Sequence, residues 1–259
     1  MHESCRLLNS DDDVHNMELI KKVTASFSLL IITTNFATAN SLTEPAYGLW
    51  GVGVVNRNLN YIDTESTTGL APFIFGGYGP VFIEANRAGV TFYRDGRFFA
   101  SVVGQLRTHQ FRNAEDNPAY ASLGDRDQAI ELGAQVGMRL PAGFFTRLAL
   151  MQDVSNAHDS HEWDLQFYRH DSIGPVRLLS AFVIQYQDKD LVNYYYGTPA
   201  YKPGNALGAE IELIATYPVG DWGVFAGTRS YFYDTEVSNS PLAEDNKIIQ
   251  LFAGVGYYF

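Results

Sequence analysis

Apolar side chains recur at every second position in several stretches of the chain, and this period is that of a β-strand with two unlike faces. In residues 127–140, one face is mostly apolar, whereas the other carries Glu131, Arg139 and small residues. The same alternation returns in 162–168 and 207–217. The chain therefore predicts an all-β protein whose strands separate an apolar environment from a polar one.

A closed transmembrane barrel accounts for these strands better than a soluble sandwich, in which the apolar faces would turn inward. The strands have about 10–14 residues, more than most sandwich strands, and their polar faces carry glycine and opposite charges that suit a crowded polar lumen. Aromatic residues gather near the strand ends, as in the girdles at membrane interfaces. These residues are Tyr47, Trp50, Phe98, Phe144, Tyr186, Tyr217, Trp222, Tyr257 and Phe259.

The predicted fold is a closed antiparallel β-barrel of twelve strands, with short periplasmic turns that alternate with longer extracellular loops. Region 80–94 is the exception, because splitting it at Asn86–Gly89 gives two strands shorter than a membrane span. If this region does not span the membrane, ten strands remain. The predicted strands are 47–56, 69–76, 80–86, 88–94, 97–109, 127–139, 143–153, 161–170, 175–187, 207–217, 222–235 and 247–259.

The sequence also predicts an export signal before the barrel. From Met17, two lysines lead into an apolar stretch that ends at the small residues Ala37 and Ala39. This order of charge, apolar core and A-x-A box predicts a cleavable signal peptide and a mature chain that begins at Asn40. The predicted parts of the chain are a start-site extension (1–16), the signal peptide (17–39) and the barrel (40–259).

The charge and the cysteine content narrow the possible functions. The net charge is −11 at pH 7, which argues against a nucleic-acid partner because such a partner requires clustered Lys and Arg. The single cysteine, Cys5, precedes the predicted cleavage point, so we expect no disulfide in the mature chain. The sequence has no uninterrupted apolar run long enough to form a transmembrane helix.

The stretch AHDSHEWD is the main candidate for chemistry. His158, His161, Glu162 and Asp164 are residue types that bind transition metals, and Ser160 lies between the two histidines. On a strand, however, the two carboxylates would face away from His161. The chain also lacks the G-x-S-x-G elbow of a serine hydrolase. We therefore predict no metal, no cofactor and no enzymatic activity.

Several stretches of the mature chain, in a specific order, carry a resemblance to a known family. They are YGLWGVGVVNRNLNY, DRDQAIELGAQVGMRLPAG, DVSNAHDSHEWDLQFY, YYYGTPAYKPGNALGAEIELIATYPVGDWGVFAG, TEVSNSPL and the terminal LFAGVGYYF. Together they resemble the MipA/OmpV family of Gram-negative outer-membrane proteins. The resemblance implies a small closed barrel in the outer membrane that interacts with a murein transglycosylase and scaffolds peptidoglycan-remodelling enzymes. It brings no catalytic residues.

The final strand has a feature that the resemblance explains. Leu251, Ala253, Val255, Tyr257 and Phe259 form one apolar face that ends in a C-terminal aromatic residue. This arrangement resembles the signal read by barrel-assembly machinery. The predicted partners are therefore outer-membrane lipid, that machinery and peptidoglycan-remodelling enzymes such as the murein transglycosylase.

Charged residues on the polar strand faces are the candidate lumen residues. They line a solute path, or they form an ion-pair network that fills a narrow barrel, since unpaired buried charges are costly. The Tyr-rich loop 188–206 is either a plug or an exposed binding surface. We predict an envelope scaffold; the alternatives are a narrow channel for small solutes and a surface adhesin or osmotic-response protein. The candidate lumen charges are Arg107, Glu131, Arg139, Arg147, Glu162, Asp164, Arg177, Glu210, Glu212 and Arg229.

Overall fold

The described part of the chain folds into a closed β-barrel. A computed structural model describes residues 46–62, 64–111 and 118–259, and the predicted signal peptide with Ala37 and Ala39 lies outside these residues. Twelve antiparallel strands pair in chain order, and β1 closes the barrel against β12, which confirms the predicted fold. The strands are β1 (Tyr47–Arg57), β2 (Thr67–Tyr78), β3 (Val81–Glu84), β4 (Arg87–Arg94), β5 (Phe98–Arg107), β6 (Ala129–Arg139), β7 (Phe144–Asp153), β8 (His161–Ile173), β9 (Val176–Gln187), β10 (Ala206–Val219), β11 (Trp222–Phe232) and β12 (Lys247–Tyr258).

The strands β3 and β4 form a short hairpin, so the barrel has twelve strands and not ten. The predicted split at Asn86–Gly89 is wrong, because the turn is Ala85–Asn86 and its first residue has a φ of 54°. Gly89 lies within β4 and not in the turn. Its lack of a side chain allows the Phe82 ring to approach the backbone, because a Cβ atom on residue 89 would lie 2.6 Å from that ring.

The connections distinguish the two ends of the barrel. Short turns lie at the end where β1 begins and β12 finishes, and we name it the inner end. Longer loops lie at the opposite, outer end, and in barrels of this class the short turns face the periplasm. The β3–β4 turn is the exception, because it points outward yet stops partway along β2, where β3 pairs only with Phe75–Tyr78.

The α-helices of the described chain are short and lie in the loops between strands. The helix α1 (Lys189–Tyr196) begins at Asp188, whose side chain accepts a hydrogen bond of 3.0 Å from the Asp190 N–H. This bond satisfies one of the free N–H groups at the helix start. A second helix, α2 (Thr235–Ser238), lies in the loop before β12. Among the residues that the structure describes, no helix is long and apolar enough to cross a bilayer.

The outward face of the barrel is apolar, whereas the neighbouring inward positions are buried. In β6, Leu132 is 45% exposed and Glu131 is fully buried. Every strand exposes at least one large apolar side chain on its outer surface. An apolar band of this extent would be unfavourable in water and suits the hydrocarbon of a bilayer. The structure therefore agrees with a barrel surrounded by lipid.

Aromatic side chains concentrate at the inner end of this lipid-facing surface. Trp222 and Tyr257 form an edge-to-face pair with ring centroids 5.6 Å apart. Amphipathic rings of this kind are favoured at the membrane interface. The last apolar face of the chain also points outward, with Leu251, Val255 and Phe259 exposed. The other exposed aromatic residues at this end include Tyr47, Trp50, Phe98, Phe144 and Tyr217.

Candidate functional site in the barrel interior

The lumen contains a network of ion pairs. Arg107 Nε lies 2.8 Å from Glu131 Oε1, and Arg107 Nη2 lies 2.9 Å from Glu162 Oε1. His158 Nε2 lies 3.3 Å from the same Glu131 oxygen. Glu131 and Glu162 are almost inaccessible to solvent, so a single guanidinium compensates two buried carboxylates. Removal of one member would leave buried charge without a partner.

Two further groups extend this network along the lumen. Arg87 Nη2, on β4, lies 2.8 Å from Asp164 Oδ2, on β8, and this contact links strands that are not neighbours in the sheet. Arg229 Nε lies 3.0 Å from both Glu210 Oε1 and Glu212 Oε1. The charged side chains in the outer and middle parts of the lumen therefore form ion pairs mainly with one another.

Three of the predicted lumen arginines lie near the inner end. Arg147 Nη1 lies 2.7 Å from Glu84 Oε2. Arg139 and Arg177 have no carboxylate within ion-pair distance in the described part of the chain, and their guanidinium carbons lie 5.8 Å and 5.3 Å from the centroids of aromatic rings. The inner mouth thus presents cations that are stacked on rings instead of paired with acids.

The lumen wall formed by β1, β2, β11 and β12 is packed with apolar side chains. The Phe73 ring centroid lies 4.8 Å from that of Phe225 and 5.5 Å from that of Phe252. Leu49 belongs to the same cluster. Glycine makes room for these rings, because a Cβ atom on Gly254 would lie 2.6 Å from Phe225 Cζ. The rings on this side of the lumen therefore pack closely against one another.

The stretch AHDSHEWD does not assemble a reactive arrangement. Glu162 and Asp164 face the lumen arginines described above. The Ser160 hydroxyl donates to Asp188 Oδ1 over 2.9 Å, and the Ser160 N–H donates to His158 Nδ1 over 3.2 Å. The serine hydroxyl therefore pairs with Asp188 and not with either histidine of the stretch. Among the described residues, no group of His, Cys, Asp and Glu side chains could hold a metal ion.

The outer end of the barrel is covered by a cluster of buried side chains, which we name the outer plug. The Tyr-rich loop 188–206 supplies α1, whose inner face is buried in this cluster, so the loop forms a plug rather than an exposed surface. Burial of so many apolar groups favours a fixed arrangement of the loops. The members of the outer plug are Tyr61, Phe111, Leu191, Val192, Tyr195, Tyr196, Ala206, Val237 and Leu242.

Hydrogen bonds connect the outer plug to different loops. The Tyr61 hydroxyl donates to the Tyr195 carbonyl over 3.2 Å, and the Tyr195 hydroxyl donates to the Asp127 carbonyl over 3.0 Å. The Ser240 hydroxyl donates to the Tyr196 carbonyl over 2.6 Å. Four outer loops are thereby fastened to one another, and none of them can leave the barrel mouth without breaking a buried contact.

His109 is a titratable group that contacts the outer plug. Its ring centroid lies 5.1 Å from that of Tyr61 and 4.8 Å from that of Tyr195. Burial, with a smaller contribution from the Arg107 charge, lowers the pKa of His109 from 6.5 to about 3. Burial also raises the pKa of the Tyr61 and Tyr196 hydroxyls. These three side chains are therefore neutral at physiological pH.

A cavity of about 750 Å³ runs along the lumen. Side chains at the outer plug, including His109, Leu191 and Tyr195, form its outer limit, and the ion-paired residues line its middle. At the other end it reaches Arg97 and Arg139 at the inner mouth. The cavity is bounded by the outer plug on one side and extends to the periplasmic end on the other.

The alternation of apolar and polar residues along the chain does not predict several of the residues that lie in the lumen. Arg87 and Glu84 lie in the β3–β4 hairpin, whose strands are too short to show a clear period. His158, a metal candidate by type, contacts Glu131 instead. In β2 both faces are apolar, because Ile74 faces outward while Phe73 is buried. The only sequence signal for this apolar wall is the frequency of glycine beside aromatic residues.

Comparisons with known proteins identify the family of this chain. The family model described as MltA-interacting protein MipA matches residues 50–259. The MltA-interacting proteins of Escherichia coli strain K12 and Shigella flexneri are each 23% identical to this chain over 148 residues. The matched region covers 53% of this chain and 59% of each relative, so the match spans less than two thirds of their length.

Two solved structures of outer-membrane proteins align with the chain at low sequence identity. An outer membrane channel from Pseudomonas putida F1 has 11% identity and a TM-score of 0.42, with 86% of this chain and 99% of that chain covered. A bacterial polysaccharide outer membrane secretin has 13% identity and a TM-score of 0.32, with 82% and 97% covered. From the family match and the barrel with its lipid-facing surface, the chain belongs to the MipA family and is a barrel of the Gram-negative outer membrane.

Proposed function

We propose that this protein is a non-enzymatic anchor in the outer membrane, which holds peptidoglycan-remodelling enzymes at its periplasmic end and does not conduct solutes. The observation that carries this proposal is the outer plug, because a conducting barrel requires a continuous aqueous path. Buried rings from several loops occupy that path at the outer mouth. The lumen carboxylates are engaged in ion pairs, which leaves the described interior without a free acid–base pair for catalysis.

The partner that we propose is a murein transglycosylase. Two relatives carry the name MltA-interacting protein, and the inner end is the part of the barrel that faces the periplasm, where murein lies. This end carries exposed arginines, such as Arg97 and Arg139, that could contact an acidic protein surface. Electrostatic complementarity of this kind raises association rates and selects partners.

Conductance in planar bilayers tests the anchor. We expect the wild-type barrel to show little or no stepwise current. A variant that loosens the outer plug, Tyr195→Ser with Tyr196→Ser, should conduct, because the cavity below the plug extends to the inner mouth. A stable current through the wild-type protein would overturn the proposal. Heat-modifiable gel mobility serves as the control that both proteins are folded barrels.

Binding of purified murein transglycosylase tests the partner. We expect Arg139→Glu, at the inner mouth, to weaken binding, since it reverses an exposed charge on the periplasmic end. The matched control is Lys202→Glu, which reverses an exposed charge in an outer loop and should leave binding unchanged. Equal effects of the two variants would contradict a periplasmic docking surface, and no binding by the wild-type barrel would contradict the partner.

A narrow channel is the second candidate, and the cavity of about 750 Å³ is the observation that favours it. Cysteine substitutions at positions 131, 133 and 135 would face the lumen, whereas those at 130, 132 and 134 would face lipid. Rapid labelling of the first set by a bulky water-soluble maleimide, together with a measurable current, would favour the channel. Protection of the first set would favour the anchor.

The apolar end of β12 is, we propose, also an assembly signal. Its face from Leu251 through Tyr257 to Phe259 is exposed to lipid along the strand that closes the barrel. Deletion of Phe259 should lower the amount of folded barrel in the outer membrane and increase degradation in the periplasm. Unchanged amounts and unchanged gel mobility would contradict this role.

A further inference from the structure

A second cavity, of about 460 Å³, lies inside the barrel near the inner mouth. We name it the inner cavity. It lies between the apolar lumen wall and the inner parts of β8, β9 and β10. Its volume falls in the range of about 300–1,000 Å³ that is usual for small-molecule sites, and such sites are mostly apolar with few polar groups. Its apolar lining comes mainly from Leu49, Phe73, Phe225, Leu179, Ile214 and Phe252.

Arg177 is the only arginine or lysine that lines the inner cavity in the described chain. Its guanidinium carbon lies 5.3 Å from the centroid of the Tyr258 ring, and no described carboxylate lies within ion-pair distance of it. Asp171 also borders the cavity, but it lies 2.6 Å from Arg169. The inner cavity therefore combines an apolar interior with one cation that has no acidic partner.

We propose that the inner cavity binds an amphiphilic carboxylate, such as a medium-chain fatty acid, that enters from the periplasmic end. The apolar chain would occupy the space beside Phe73 and Phe225, where its transfer from water is favourable. The carboxylate would accept hydrogen bonds from Arg177, whose planar guanidinium matches a carboxylate in two-point geometry. Stacking on Tyr258 reduces the freedom that the guanidinium must lose on binding.

The charges deeper in the lumen favour this orientation of the ligand. Glu210 and Glu212 share Arg229 as a counter-ion, so a second carboxylate near them would meet repulsion. At the inner mouth, Arg139 adds positive charge without a carboxylate within ion-pair distance in the described chain. The charged head of the ligand is therefore attracted to the mouth and not to the middle of the barrel.

This inference is independent of the proposed anchor. A barrel closed by the outer plug can still hold a ligand at its periplasmic end, and an anchor without a ligand remains an anchor. Failure of the binding experiment below would leave the conductance and partner experiments unaffected.

The experiment measures binding of decanoate, decanol and decyl phosphate to the barrel in nanodiscs of zwitterionic lipid, with empty nanodiscs subtracted. We expect one saturable site for decanoate and binding of decanol that is weaker by about tenfold, because the alcohol lacks the charge that Arg177 recognises. Arg177→Gln should reduce decanoate affinity by about tenfold and leave decanol unchanged. Decyl phosphate that binds more tightly than decanoate would overturn the carboxylate assignment.

Two controls separate this site from general effects of charge and folding. Arg147→Gln removes another arginine near the inner end, which is paired with Glu84 and does not line the inner cavity, and it should not change decanoate affinity. Thr216→Phe fills the inner cavity from β10 and should weaken decanoate and decanol alike. The absence of saturable binding to the wild-type barrel, or equal losses in Arg147→Gln and Arg177→Gln, would overturn the proposal. Gel mobility confirms that each variant is folded.

Discussion

The two sides of the lumen are filled in different ways. On the side of β4 to β10, buried charges contact one another, as in the group of Arg107, Glu131 and Glu162. On the side of β1, β2, β11 and β12, the rings of Phe73 and Phe225 pack over glycines. The stability of the first side depends on every buried charge having a partner, and that of the second on every ring having enough space. The interior of a narrow barrel can thus be occupied by ion-paired side chains or by apolar side chains that fit closely together.

The largest effect is expected where pairing is broken. Arg107→Ala leaves two buried carboxylates without a cation, which should lower the free energy of unfolding by about 3–5 kcal/mol. The triple variant that also carries Glu131→Gln and Glu162→Gln should recover part of this loss, because no carboxylate of this group is then left buried without a cation. Urea unfolding in lipid vesicles, followed by tryptophan fluorescence, measures both. If the triple variant is as unstable as the single one, packing and not charge determines the stability of this side of the lumen.

A smaller effect is expected where space is removed from the apolar side. In Gly254→Val, the new Cβ would lie 2.4 Å from the Val52 carbonyl oxygen and 2.6 Å from the Phe225 ring. Overpacking of this kind should destabilise the barrel by about 1–3 kcal/mol. Gly69→Val is the matched control, since nothing lies within 4 Å of a Cβ there. If the same unfolding assay gives equal losses, space is not the role of Gly254.

The outer plug should lose stability on acidification. The pKa of His109 is lowered to about 3 from 6.5, so the unfolded chain binds the proton in this window and the folded chain does not. Stability should be constant above pH 6.5 and fall on acidification toward pH 3, by at most about 1.4 kcal/mol per pH unit. Thermal unfolding of the wild type and of His109→Asn measures this contribution. An identical pH profile for the two proteins would exclude His109 as its source.

The smallest effect is expected for an exposed ion pair at the inner end. Arg169 Nη2 lies 2.6 Å from Asp171 Oδ1, and both side chains are more than a third exposed. Arg169→Gln should change the free energy of unfolding by less than about 1 kcal/mol, because water screens an exposed pair. The change should disappear at 1 M salt, where the screening length is about 3 Å. A salt-independent loss would indicate a packing role for this arginine.

The sequence allows the prediction of much of the fold because one physical rule dominates it. Wherever one strand face meets lipid and the other meets charge, as at Leu132 and Glu131, alternation identifies both the strand and its orientation. The rule fails where both faces are apolar, as around Phe73, and where a strand is as short as β3. It also gives no information on contacts between distant loops, which depend on closure of the barrel. The contact between Tyr61 and Tyr195 is of this kind.

The short β3–β4 hairpin has a consequence for how this barrel can associate. The Ala85 N–H donates to the Ile74 carbonyl over 2.8 Å, so the backbone groups of Ile74 point toward the hairpin, and by alternation those of Pro72 and Leu70 point the same way. Beyond the turn, no described strand pairs with this side of β2. Proline offers no N–H group there, so a strand from a second molecule would find an incomplete row of donors. Proline in this position disfavours growth of the barrel by strand exchange with a neighbouring copy.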